Sequence, residues 1–327
     1  MAFPTASGQQ PATVVALGGT GVIGRALQSE AARRGHRFLS LSLDPDASRV
    51  GVDNLHLDFE AAPAGALTAV LTAALPHGTP ILAICNIAGL APRQIVEIAD
   101  FAASRTVPLA QVSSCLLYQA PASARVDEAT PSLTVGQAAF PYLRLKLTEE
   151  AALTARRDVD WRILRTNHVL GPGCLLGCIP GHNRDAALLR RLHAGEPLHL
   201  TKAGRVRLSF VHAEDFAAAS LDLCADPSTS GQILNLVHPK PVMADDYYRM
   251  IAALLGLPAP QITLLSPEEA GFWSLTARDI HFTSHHPAVR KLSFRHDLAS
   301  ALRDTLMPDG SDYAARGGNL QDRLKGH

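Results

Sequence analysis

The sequence predicts an α/β fold in which a parallel sheet is wound on both faces by helices, and three observations carry that reading. Strand-like apolar runs alternate with helical patterns along the first half of the chain, and a glycine-rich turn joins the first strand to the first helix. The run Pro80 to Asn86 (PILAICN) is wholly apolar until its last residue, as in a strand buried on both faces. Strands alternating with helices argue for parallel pairing in a doubly wound, Rossmann-type sheet.

The first strand is the apolar run Thr13 to Leu17, and Val22, Ile23, Leu27 and Ala31 follow at helical spacing. Between them, Gly18, Gly19, Gly21 and Gly24 fit two patterns: GxGxxG from Gly19 and GxxGxxG from Gly18. A turn of this kind seats a dinucleotide pyrophosphate. Its glycines let the backbone approach the phosphates, and unpaired amides at the helix start face the charge. The blander reading of the same glycines is close helix packing, but the strand before and the helix after supply the context that binding requires. Gly18, Thr20, Gly21, Val22, Ile23 and Gly24 are therefore candidate cofactor-binding residues.

The helix runs from Val22 to Arg34, ended by Gly35, and the second strand from Arg37 to Ser42. In a nicotinamide-binding unit the end of this strand meets the adenosine ribose, where a carboxylate binds the hydroxyls or a basic residue pairs with a 2′-phosphate. Ser42 stands in the carboxylate's place and Leu43 in the arginine's. Asp44-Pro45-Asp46 lies near the nominal offset, yet it reads more readily as a helix cap with proline at the first helical position. Arg25 and Arg49 are the basic candidates for a 2′-phosphate, so the cofactor is NAD or NADP with the 2′ group undecided.

A third strand, Asn54 to Asp58, ends in a carboxylate that either accepts from the adenine amino group or caps the next helix. Ala64 to Leu75 is helical. After the strand Pro80 to Asn86, the residues Asn86, Ala88 and Gly89 lie on the same sheet edge as the glycine turn and join the cofactor set. Pro92 to Ser104 is an amphipathic helix, and Leu109 to Ser113 is the fifth strand. That strand runs into SSCLLY (Ser113 to Tyr118), and the helix Phe140 to Arg156 carries Tyr142 and Lys146. Residues four apart share a helix face, so the ammonium stabilises a phenolate and makes the tyrosine an acid or base near neutral pH. Alone, such a pair is ordinary helix surface; its place after a strand ending in serine, in a dinucleotide-binding pattern, favours chemistry.

Further on, Ala186 to His193, Ala213 to Cys224 and Asp245 to Leu255 are helical, and Gln232 to Val237 is a strand. Cys174, Cys178 and His182 have the spacing of soft-metal ligands but lack a fourth, so no metal is expected. Phe272, Trp273, His281, His285 and His286 are candidate substrate contacts whose bland reading is solvated loop polarity. We expect a disordered lead-in over 1–12, a cofactor-binding Rossmann domain over 13–173, a mainly substrate-binding lobe over 174–308 with a returning strand and helix, and a flexible tail over 309–327.

A formal net charge of zero and a pI near 7.2 give no basic field to collect nucleic acid or anionic lipid. The five scattered cysteines read as core residues in a reducing compartment. Neither a signal-like N-terminus nor a run of 18 uncharged apolar residues is visible. The expectation is a cytoplasmic protein with a small-molecule substrate and neither nucleic-acid nor membrane partner.

Five motifs in order, GGTGVIG, SSCLLY, YLRLK, LRTNHVLGPG (Leu164 to Gly173) and RLSFVHAEDFA (Arg207 to Ala217), resemble the extended short-chain dehydrogenase/reductase family, the NAD-dependent epimerase/dehydratase type. The resemblance spans about residues 13 to 255. It implies Ser114 as the serine that polarises substrate, Tyr142 as the proton-transfer residue, and Lys146 as holder of the nicotinamide ribose. It also implies a homodimer through the helices Pro92 to Ser104 and Phe140 to Arg156. The pattern departs where sugar dehydratases carry an Asp-Glu pair, here Cys115 and Leu116, and where nucleotide-sugar enzymes carry asparagine, here His168 with Asn167 before it. Gln119 stands where relatives usually have glycine, while Arg207 matches an arginine that grips a diphosphate. Cys115, Asn167, His168 and Arg207 are thus the candidate substrate contacts. The leading expectation is an NAD(P)-dependent oxidoreductase acting on a secondary alcohol or carbonyl. The rivals are a redox-neutral epimerase on a nucleotide-sugar-like substrate with tightly held NAD, and a non-catalytic nicotinamide-sensing protein.

Overall fold

The computed structural model describes residues 11–43, 53–120, 123–177, 185–201, 206–266 and 279–307. Asp44, Asp46, Arg49, Cys178, His182, Phe272, Trp273 and the tail lie outside them, as does the lead-in except for its last two residues.

Seven parallel strands form the central sheet: β1 (Thr13–Leu17), β2 (Arg37–Ser42), β3 (Asp53–His56), β4 (Ile81–Asn86), β5 (Leu109–Ser114), β7 (Trp161–Thr166) and β12 (Gln232–Asn235). Their spatial order is β12-β7-β5-β4-β1-β2-β3. Chain direction across the sheet reverses between β1 and β4, and that switch point is where open α/β sheets leave a crevice for ligands. β1 is buried at all five positions, as its unbroken apolar run requires.

Helices cover both faces. α1 (Val22–Arg33) and α6 (Ala213–Ala225) pack on one face with Val14, Ala16, Leu27 and Phe216; α2 (Ala66–Ala74), α3 (Pro92–Arg105) and α4 (Pro141–Thr154) lie on the other with Val15, Leu17, Leu71 and Ile98. Each fully buried Leu or Ile here contributes about 1.5–3 kcal/mol. α3 and α4 are neighbours within one chain, and Arg156 just beyond α4 pairs with Asp100 of α3 at 2.7 Å.

After β7 the chain leaves the sheet through β8 (His168–Leu170), α5 (Leu188–His193), β9 (Leu198–Thr201), β10 (Arg207–Leu208) and β11 (Phe210–His212). It returns with α6 and β12, then departs through β13 (Val242–Met243), α7 (Ala244–Leu254), β14 (Ile262–Leu265), β15 (Asp279–Phe282), α8 (Pro287–Arg290) and α9 (Leu298–Leu306). A separate apolar cluster, with Leu188, Leu200, Tyr248 and Leu302, holds these outlying elements together. β15 pairs in parallel with β6 (Ser123–Val126), which lies between β5 and α4 in sequence. Among the described residues no helix is long and apolar enough to cross a membrane.

Several element boundaries moved by one or two residues, among them α2 starting at Ala66, α4 ending at Thr154 and β12 ending at Asn235. The third strand is Asp53–His56 because Asp58 leaves it: its Oδ1 accepts the amides of Glu60 and Ala61, at 2.9 and 3.1 Å, as a turn cap does. The predicted helix Ala186 to His193 begins two residues later, at Leu188.

Candidate active site

The glycine turn divides its work among four residues. Gly18 has φ +83°, and a Cβ there would meet the Ala88 backbone at 3.0 Å, so this position supplies the left-handed turn and the close approach to the loop after β4. A Cβ on Gly19 would collide with Ser40 Oγ, and one on Gly24 with the Gly19 carbonyl. These two are packing glycines. Gly21 differs: it caps α1 in an extended conformation, no side chain caps the helix there, and the nearest atom to a built Cβ is 3.8 Å away. The first amides of α1 thus open outward across Gly21 at the positive end of the helix.

Beside this turn a cavity of about 380 Å³ is lined by Gly18, Thr20, Ser42, Leu43, Phe59 and Ala88. Two buried polar atoms flank the region without a protein partner, Ser42 Oγ and Asn86 Oδ1. An uncapped helix start, an adjoining apolar hollow and orphaned hydroxyl and amide oxygens fit a dinucleotide: phosphates at the amides, adenosine in the hollow, and its hydroxyls and amides on the orphans. Ser42 keeps the place read for it. Asp58 keeps at least one oxygen in a turn at Glu60 and Ala61 and does not cap α2, whose cap is Gly65. Arg25 does not face a 2′-phosphate, because its guanidinium donates to the carbonyls of Thr20 (3.0 Å) and Pro172 (2.5 Å) and so ties the turn to the Gly171–Gly173 loop.

The proton-transfer candidates gather where β5 meets α4. Ser114 ends β5, and its Oγ accepts the Leu116 amide at 3.1 Å, which starts a single 3-10 turn and leaves the hydroxyl proton to be donated. Leu117 of that turn packs with Leu143 and Leu147, seating Ser114 against α4. Tyr142, half exposed, is the second residue of α4, in a first turn with proline at N1 and no side-chain cap. Lys146 follows one turn on and is buried; its Nζ donates to the Val112 carbonyl (3.2 Å) and to Glu149 Oε2 (2.8 Å).

Glu149 is wholly buried, and sequence reading passed it over. Its other oxygen accepts the Leu90 amide at 2.6 Å, and Gln111 Nε2 donates to Oε2 at 3.1 Å. Burial pushes its carboxyl above the usual range even with Lys146 beside it. The available signal was its spacing, three residues from Lys146 on the same helix. Glu150, next in sequence, serves a different partner: it takes both prongs of Arg165 at 2.9 and 2.6 Å and the Ser113 hydroxyl at 2.6 Å. Arg165 lies over the Tyr118 ring at 4.4 Å, and the Tyr118 hydroxyl donates to Asn235 Oδ1 at 2.7 Å.

The substrate candidates are not all where the sequence put them. Cys115 is corrected: the 3-10 turn sends it inward, where it packs with Tyr118, Val237 and Phe282, and burial drives its thiol well above the usual range. It lines no cleft. Arg207 is half exposed but already taken, because Asp279 accepts from its Nε (2.7 Å), Nη2 (2.6 Å) and backbone amide (2.9 Å), and the guanidinium holds the Asp279 carboxyl below its ordinary range. An incoming diphosphate would have to displace that carboxylate. His168 is buried, with Nε2 3.0 Å from the Tyr247 hydroxyl, while Asn167 sits half-buried between β7 and β8. Of the three histidines, His281 lies in β15 with a buried Nε2 without a protein partner, His285 pairs with Glu128 at 3.0 Å, and His286 caps α8.

His212, Glu214 and His296 bring ligating atoms within 4.8 Å of one another, a grouping the sequence did not single out. Hydrogen bonds tie its members to their neighbours. The Glu214 amide donates to His212 Nδ1 at 3.3 Å, which leaves the ring hydrogen on Nε2, aimed at Asp304 2.9 Å away. Asp215 clamps the opposite loop by accepting the Arg295 and His296 amides and His296 Nδ1, and so raises the His296 imidazole.

Comparison with known proteins agrees with this fold. Residues 14–236 match the NAD dependent epimerase/dehydratase family. The epimerase Mth375 of Methanothermobacter thermautotrophicus superposes with a TM-score of 0.70 at 16% identity, covering 96% of this chain and 94% of that one. The Bordetella bronchiseptica enzyme WbmH, solved in complex with NAD+, superposes with a TM-score of 0.69 at 16% identity, covering 94% and 99%. At these identities the likeness is one of fold. A chloroplast stem-loop binding protein of 41 kDa (form b) from Arabidopsis thaliana is 27% identical over 163 residues, 48% of this chain. The chain spans 42% of the length of that curated relative.

Proposed function

We propose, on the premise that this chain belongs to the NAD dependent epimerase/dehydratase family, that it is an NAD-dependent oxidoreductase acting on a secondary alcohol or carbonyl of a small molecule. The observation that carries the reading is a convergence: the uncapped start of α1, the adjoining cavity, Ser114 and the Tyr142–Lys146 face all lie at the C-terminal edge of β1, β4 and β5. The nicotinamide, when bound, supplies or accepts hydride. The α1 amides across Gly21 would hold the pyrophosphate, and Ser42 with the hollow around Phe59 would receive the adenosine side. Ser114 donates its free hydroxyl proton to the substrate oxygen and polarises it. Tyr142 transfers the proton to or from that oxygen, its phenolate favoured by Lys146. Lys146, with two of its three N–H groups on Val112 and Glu149, would offer the third to the nicotinamide ribose.

Two residues shape the substrate reading. With Arg207 bound by Asp279 and Cys115 inside the core, the site offers less to a nucleoside diphosphate than the motifs alone suggest. The substrate we favour is small and carries no diphosphate. The commitment of Arg25 to two carbonyls likewise favours NAD over NADP. The test is to denature the purified protein, identify any released nucleotide by mass spectrometry, and titrate the emptied protein with NADH and NADPH. Reversible NADH binding about tenfold tighter than NADPH is expected. Equal affinities contradict the cofactor assignment, and NAD retained on every chain contradicts its use as a co-substrate and favours redox-neutral epimerisation.

A further inference from the structure

We infer that Glu149 is the positioning residue of this site, setting where Lys146 holds its ammonium and fastening it to the loop that follows β4. The inference rests on the nicotinamide reading above and deepens it. A polar chain crosses the buried layer between sheet and helix: Asn86 Nδ2 donates to Gln111 Oε1 at 2.7 Å, Gln111 Nε2 donates to Glu149 Oε2 at 3.1 Å, and Lys146 Nζ donates to the same oxygen at 2.8 Å. Asn86 and Glu149 are 0% exposed, Gln111 1% and Lys146 4%. The opposite carboxylate oxygen takes the Leu90 amide, so one side chain of α4 grips the lysine and the end of the 86–90 loop together. Gly89 in that loop packs against Leu145 of α4, and Ala88 donates its amide to Leu17 beside the glycine turn.

This arrangement has a physical necessity behind it. An ammonium this deeply buried needs an opposite charge within hydrogen-bond range, or it loses its proton or leaves. Val112 offers only a carbonyl, and Glu150, the other acid nearby, is committed to Arg165 and Ser113. Gln111 and Asn86, which face Glu149 from β5 and β4, carry no charge. Glu149 is therefore the counter-charge that holds Lys146 in place. The Asn86–Gln111 bond fixes both amide orientations, so the chain is stiff from the Asn86 oxygen, which lacks a protein partner, to the lysine. Both ends lie on the cofactor side of the sheet edge, and their separation is preset.

NADH affinity is the readout, measured by fluorescence titration of the full-length protein without substrate. Glu149→Gln, which keeps an acceptor for Leu90 but removes the charge, is expected to weaken NADH about tenfold. Lys146→Met is expected to do the same, and the double variant to be no weaker than either single, because both remove one anchored ammonium. A merely structural role for Glu149 lowers the melting temperature and leaves NADH affinity intact, or gives losses that add, and either result overturns the inference. Should Glu149→Gln not fold, Glu149→Asp retains the charge one methylene short of Lys146, and a loss of several-fold is expected; unchanged affinity in that variant also overturns it. A wild-type protein that binds no NADH overturns the nicotinamide reading first, and this inference with it.

Discussion

Tyr142→Phe lowers kcat about 10²- to 10⁴-fold and leaves the affinity for NADH within twofold of wild type. The magnitude is what a positioned acid or base contributes to proton transfer. It follows from placement: the phenol is on the second residue of α4, half exposed, one turn before Lys146 and beside the strand that ends in Ser114. The ring stays in the variant and only the hydroxyl goes, so a drop in kcat without a change in Kd isolates the proton from the packing. A variant with near-native kcat on the enzyme's substrate would sink the assignment. Loss of NADH binding in parallel with kcat would instead make the tyrosine a binding group.

The second large effect is on stability. Glu150→Ala leaves the Arg165 guanidinium, 1% exposed, without its two-pronged partner, and strips the Ser113 hydroxyl of its acceptor. Removing one member of a buried pair costs about 3–5 kcal/mol, because the surviving charge stays in a medium that cannot solvate it. Ser132 Oγ, 2.7 Å from Arg165, is a weak substitute. The Tyr118 ring under the guanidinium and the Asn235 side chain bonded to Tyr118 lose their support as well. Urea unfolding measures the difference directly. A loss below about 1 kcal/mol would show that water reaches Arg165 and that the pair is not buried in solution.

How much of this was legible in the sequence depended on the range of the interaction. β1, β2, α1 and α3 start and end within a residue of their expected limits, because local signals bound them: unbroken apolar runs, Gly35 after α1 and Pro92 at the start of α3. The roles of the four turn glycines needed coordinates, since two spacings fit the same letters and only geometry shows that Gly21 faces open space. Cys115 was misread because its position beside Ser114 in the chain says nothing about direction, and a three-residue turn reverses it into the core. Asp279 was out of reach: it binds Arg207 across 72 residues, and no periodicity announces such a pair. Glu149 stood in plain view at helical spacing from Lys146, yet an acid on a helix reads as solvated until the packing around it is known.

The central claim is that dinucleotide phosphates sit on the amides at the start of α1, and Gly21→Asp tests it most directly. Gly21 has φ −71° and ψ 179°, ordinary for any residue, and a side chain there meets nothing closer than 3.8 Å. Aspartate is a favoured helix cap, so the variant should melt no lower than wild type. Its carboxylate would take the amides and place negative charge where the pyrophosphate belongs, and NADH affinity should fall about a hundredfold. A folded Gly21→Asp protein that binds NADH as tightly as wild type would contradict the account.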